Sequence, residues 1–176
     1  MLRLPRLGVG LAVLAVLVLA GTRPRTFRAQ RRVSIRAPAA TILPLIAHLR
    51  SHARRRPSSR KDDPAMKATY GGAESGPGAT FDFEGDGNGG SGRLSIVDSR
   101  PSNEVRTRLQ MVKPIAADHV VVFPLLSNGD ATDVTGAMHG PVPDLAEIVH
   151  LFPGVDGMVG RGFDTGLANL KAMVEG

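Results

Sequence analysis

PDLAEIVHLFPGVDGMVGRGFDTGLANLKAMVE (143–175) decides how the rest of the chain must be arranged. Its apolar residues are Leu145, Ile148, Val149, Phe152, Val155, Val159, Phe163, Leu167, Leu170 and Val174, nearly all three or four positions apart. That spacing puts them on one stripe of a 3.6-residue helix. Glu147, Asp156, Arg161, Asp164 and Lys171 fall on the opposite face. Unbroken, such a helix runs roughly 45 Å, and its apolar stripe needs an equally long surface to lie on. Pro153-Gly154, followed by Gly157, Gly160 and Gly162, predicts a kink or break in the first half. Arg161 to Val174 is then the firmer half, and the looser half is where an interior would open.

The upstream sequence supplies the surface. Phe27 to Ala37 alternates, with Phe27, Ala29, Arg31, Val33, Ile35 and Ala37 on one face and Arg28, Gln30, Arg32, Ser34 and Arg36 on the other. Period two with β-branched residues predicts a half-buried strand. Pro38 opens a helix with Ile42, Leu45, Ile46 and Leu49 at helical spacing, and Pro44 should kink or delay it. Short strands follow at 67–70, 79–84, 93–99, 104–113, 115–125 and 131–139, separated by turns at Gly71-Gly72, GDGNGGSG (85–92), 100–103 and 127–130. Successive hairpins of this kind build an antiparallel meander. One sheet with an unbroken apolar face must be covered, and the terminal helix is the long cover available.

Charge divides the chain. Residues 1–61 hold 14 of the 22 basic residues and none of the 16 acidic ones, so the remainder, with 8 basic and 16 acidic, has a net charge of −8. An acidic body is a poor partner for nucleic acid. The basic run RSHARRRPSSRK (50–61) reads as a solvated loop, with an anionic-surface patch as the alternative. There is no cysteine, so no disulfide framework and no thiol chemistry.

Residues 7–21, LGVGLAVLAVLVLAG, are apolar throughout and flanked by arginines. Fifteen helical residues span about 22 Å against a hydrocarbon core of about 30 Å. Two expectations follow for residues 1–22: an N-terminal hydrophobic helix acting as transmembrane signal-anchor, or a signal segment cleaved near Ala20 and Gly21, with export. Either takes the chain to a membrane, which then becomes a partner through that helix.

The junction RRVSIRAPAATILPLI, then DPAMKATYGG, GPGATFDFEG, SGRLSIVDSRPSNEV, TDVTGAMHGP and VGRGFDTGLANLKAM follow one another in an order that resembles the SRPBCC family, polyketide cyclase/dehydrase and lipid-transport-like, of the START helix-grip superfamily. The resemblance covers residues 26–174 and marks 26–176 as one ligand-binding domain. It implies an α+β fold in which a seven-stranded antiparallel sheet wraps around the long C-terminal helix, with an apolar cavity between them. It does not imply one chemistry. Relatives of this kind carry a tryptophan- and proline-rich segment where RSHARRRPSSRK stands, and an aromatic residue at the place of Gly136. Both departures suggest an open or altered entrance, or a drifted sequence.

Few residues suggest catalysis. His119 shares an alternation face with Val121 and Phe123 and is the one candidate general base; a hydrogen-bonded core histidine is the plainer reading. His139 lies beside a turn. His48 and His52 have helical spacing but no third ligand, so no metal site is expected. Asp82 and Glu84 lie opposite Phe81 and Phe83 and read as solvated. The sequence carries no nucleophile motif, phosphate loop or dinucleotide fingerprint, and hence no cofactor expectation. The expected function is binding of a hydrophobic small molecule or lipid, lined by Phe81, Phe83, Leu94, Ile96, Leu109, Met111, His119, Val121, Phe123, Met138, Phe163 and Leu167. The alternatives are a cyclase- or dehydratase-like enzyme using His119, and an interaction protein docking through its basic loop.

Overall fold

Period-two alternation at seven places in the chain becomes one sheet. In a computed structural model, which describes residues 26–51, 66–85, 90–141 and 152–176, the strands are β1 (Thr26–Ile35), β2 (Lys67–Gly72), β3 (Ala79–Glu84), β4 (Ser91–Arg100), β5 (Glu104–Lys113), β6 (Ala117–Asn128) and β7 (Ala131–Pro141). Helix α1 (Ala39–Ala47) follows β1, and α2 (Phe152–Glu175) ends the chain. The order across the sheet is β1-β7-β6-β5-β4-β3-β2, every neighbouring pair antiparallel. From β2 to β7 this is the expected meander, and β1 closes it by pairing with β7. At the β6–β7 hairpin Asn128 pairs with Ala131, and the two-residue turn between them uses Gly129 at φ 61°. Glycine takes that left-handed conformation without a Cβ penalty.

The terminal helix runs from Phe152 to Glu175 and is continuous over that length. It begins at Phe152, so Pro153 stands in its first turn, where the missing N–H has no partner to lose. Proline therefore starts this helix instead of kinking it. The expected helical residues 143–151 lie outside the described residues. Val159, Phe163, Leu167, Leu170 and Val174 pack into or against the core, as their spacing predicts. Met173, off the stripe, is exposed.

Polar contacts give the helix its direction. Arg31 Nε reaches Asp164 at 3.4 Å, Lys171 Nζ donates to the Ser34 carbonyl at 2.8 Å, and the Arg36 N–H donates to Glu175 Oε1 at 2.7 Å. The partners ascend together, so α2 runs parallel to β1. The eleven helical residues from 164 to 175 and the five extended residues from 31 to 36 each advance about 16 Å. The two registers stay matched along the whole seam.

Helix α1 carries Pro44 inside it and still reaches Ala47, with the N–H of His48 donating to the Pro44 carbonyl at 3.0 Å. Ile42, Ile46 and Leu49 are buried. His48 leaves the helix as its C-cap, and His52 lies outside the described residues.

Among the described residues no helix is long and apolar enough to cross a membrane. The helix with the length, α2, carries Arg161, Asp164, Lys171 and Glu175 and buries its apolar stripe against the sheet. This overturns the transmembrane and signal-anchor expectation, and with it membrane localisation and a membrane partner through an N-terminal helix. The run 7–21 on which that expectation stood lies outside the described residues, as do residues 52–61 of the basic loop.

Candidate functional site

On the concave face, side chains line up in rows that cross the strands. The outermost row is Ala68, Phe83, Gly92, Met111 and Ala117, joined pairwise by register. The second is Tyr70, Phe81, Leu94, Leu109 and His119. The third is Ile96, Thr107, Val121, Met138 and Ala29. Deeper still, Val105 pairs with Phe123 and Gly136 with Arg31, followed by Leu125, Val134 and Val33. All ten sheet residues expected to line a ligand site fall in these rows, on one face. Phe163 and Leu167 meet that face from α2.

Burial is uneven along the rows. In the outer two, Phe83, Met111, Ala117, Leu109, His119 and Tyr70 are half-buried. In the third and beyond, Ile96, Val121, Val105, Leu125 and Val134 are at most 5% exposed. The expected set therefore divides. Phe83, Leu109, Met111 and His119 form an accessible end, while Ile96, Val121, Phe163 and Leu167 belong to a packed floor.

Absent side chains shape this interior. A Cβ at Gly136 would lie 2.6 Å from the Phe163 ring, and one at Gly140 would collide with His119 Nδ1. Phe163 lies edge-on to Phe123, centroids 6.2 Å apart and planes at 78°. Where the family tends to carry an aromatic residue, Gly136 leaves space that the Phe163 ring from the helix occupies.

His119 points inward beside Leu109, with Nδ1 buried. Burial pushes the imidazole below its ordinary value, and the neighbouring Asp118 carboxylate partly opposes this. The ring is therefore neutral at neutral pH. Asp118 itself points to the outer face, where Arg108 Nε donates to it at 2.8 Å and holds its carboxyl below the usual range.

The outer face carries ion pairs, not chemistry. Arg93 Nε donates to Asp82 at 2.6 Å, which accounts for Asp82 as a solvated partner. Asp133 is buried under Arg32 and also accepts from Asn128 Nδ2 at 3.0 Å. Those hydrogen bonds, Arg32 first, hold its carboxyl low. His139 is exposed on this side. No group of three metal-ligating side chains occurs among the described residues.

Three inner-face residues stand outside the expected lining, although alternation already put Arg31 on the face of Ala29, Val33 and Ile35. Tyr70 lies tilted against Phe81, centroids 5.0 Å apart, with the Arg50 guanidinium 4.8 Å from its ring centre. Its signal was the alternation of Ala68 and Tyr70 in a strand too short to weigh. Thr107 is buried in the third row, its hydroxyl donating to the Val121 carbonyl at 3.3 Å. Arg31 occupies an inner-face position and tucks against Gly160, where a side chain would clash with its guanidinium.

A seven-stranded antiparallel sheet wrapped around one long C-terminal helix defines the helix-grip fold. Solved structures agree. A protein from Chromobacterium violaceum matches with TM-score 0.59 at 15% identity, over 88% of this chain and 99% of its own. The solution structure of the KanY protein matches with TM-score 0.64 at 14% identity, over 86% and 99%. A Thermus thermophilus protein gives TM-score 0.60 at 14% identity, over 84% and 97%. At such identities the likeness is one of fold. No family model matches the sequence, and no curated protein matches it either.

Proposed function

We propose that this protein binds a hydrophobic small molecule or lipid between the concave face of the sheet and α2, as an SRPBCC-type binding protein. The observation that carries the reading is the half-buried apolar end of the inner face, where Phe83 and Met111 flank Gly92 in one row and Leu109 stands in the next. Half-exposed apolar side chains on a concave face gain about 25 cal/mol per Å² when a ligand excludes water from them. Pockets for such ligands are mostly apolar with few polar groups, and His119 and Tyr70 are the polar groups at this end.

The test exploits the strand pleat. Met111 and Val112 are adjacent and point to opposite faces, with Val112 65% exposed. Met111→Glu should weaken binding of an apolar fluorophore such as anilinonaphthalene sulfonate by about tenfold or more, and Val112→Glu should leave it unchanged. Equal binding by both variants would sink the proposal. Native mass spectrometry of the purified protein would show any retained ligand directly.

A second reading is a cyclase- or dehydratase-like enzyme with His119 as general base. The inward, neutral imidazole at the accessible end favours it. His119→Ala should then abolish turnover while keeping affinity for the apolar probe. A loss of both together would mean that His119 only packs.

A further inference from the structure

We propose that Phe163 is the stop that sets how deep a ligand enters, an inference that rests on the apolar-binding reading above. Phe163 is 6% exposed and held between two features of the sheet. Gly136 beneath it has no side chain, and a Cβ there would come 2.6 Å from the ring. Phe123 beside it makes an edge-on contact. The ring is therefore seated in a notch and cannot be displaced without losing both contacts.

Its row lies one step beyond the change in burial, which falls between the half-buried Leu109 and His119 and the buried Ile96 and Val121. Toward the accessible end lie the half-buried Leu109 and Met111. In the ring's own row Val105 is fully buried and Phe123 half-buried, and in the next row Val134 is fully buried. From Met111 to Val105 the strand advances about 20 Å, so an unobstructed interior would admit a long apolar chain lying along the strands. Phe163 stands at the far end of that run and closes it. Depth of entry is thus set by one helix residue and the glycine that receives it.

The experiment is calorimetric titration of the full chain with straight-chain fatty acids from octanoate to stearate. In the wild-type protein affinity should rise about fourfold per methylene and then level off. In Phe163→Ala the plateau should move to longer acids, with the longest gaining at least about tenfold. Phe163→Leu, a milder change that keeps the core filled, should move it less in the same direction. Leu170→Ala opens an equally buried site one turn and more further along the helix, away from the accessible end, and should leave the plateau in place. An unmoved plateau in both Phe163 variants overturns the stop. So does an equal shift in Leu170→Ala, which would mean general loosening. If the wild-type protein binds no member of the series, the binding reading itself falls, which is a different result from an unmoved plateau.

Discussion

Gly136 and Phe163 form a pair in which one residue is what it is because of the other. A methyl group at position 136 has nowhere to go unless the ring moves. Overpacking of this kind costs about 1–3 kcal/mol. Gly136→Ala should therefore lower the midpoint of denaturant unfolding, and adding Phe163→Leu should recover part of the loss. Strict additivity of the two changes would show that they do not share the space. His119 makes a second prediction. Its folded value lies below its unfolded one, near 6.5. The folded state thus binds fewer protons between the two values. Stability present above that range falls as pH drops through the folded value. An NMR titration should place the imidazole below 6.5, and an ordinary value would contradict its burial.

Helix α2 combines a firm half with a glycine-rich one. Gly154, Gly157, Gly160 and Gly162 crowd its first eleven residues, and glycine costs up to about 1 kcal/mol per site against alanine. Amide exchange should be faster over 152–160 than over 163–174, where Phe163, Leu167 and Leu170 anchor the helix. Equal protection along the helix would remove the case for a loose half beside the accessible end. The glycines are not equivalent. At Gly166 a Cβ would meet nothing within 4 Å, whereas at Gly160 it would strike the Arg31 guanidinium. Gly166→Ala should raise stability by about 0.5–1 kcal/mol, and Gly160→Ala should gain less or lose, read by the same thermal melts.

The molecule holds together by matching one helix to one strand edge. Arg36, Lys171 and Glu175 tie the end of α2 to the end of β1, and Arg32 ties β1 to Asp133 of β7. The carboxyls of Glu175 and Asp133 are both held below their usual range by hydrogen bonds, from the Arg36 N–H and from Arg32 respectively. Groups depressed in the folded state add stability above their unfolded values, about 4. That stability is lost as pH falls through the folded values. Acid unfolding should accordingly deepen below about pH 4, after the earlier loss from His119, and Asp133→Asn should flatten the lower portion. A pH profile unchanged by that substitution would place the acid sensitivity elsewhere.

Much of this architecture was legible in the chain. Phe81 and Phe83, Leu109 and Met111, Val121 and Phe123 each alternate within a few residues, and Phe163, Leu167 and Leu170 recur within three turns. Such periodicities are local, so the sequence by itself determined the strands, the meander, the helix stripe and which residues share the concave face. The tertiary structure alone decided the rest. It put Gly136 under Phe163, Gly140 beside His119 and Gly160 against Arg31. It made Pro153 a helix start, and it separated a half-buried end of the inner face from a closed one. Each of those facts depends on residues far apart in the chain meeting through strand register and helix direction. No periodicity within one segment encodes where a distant side chain will arrive.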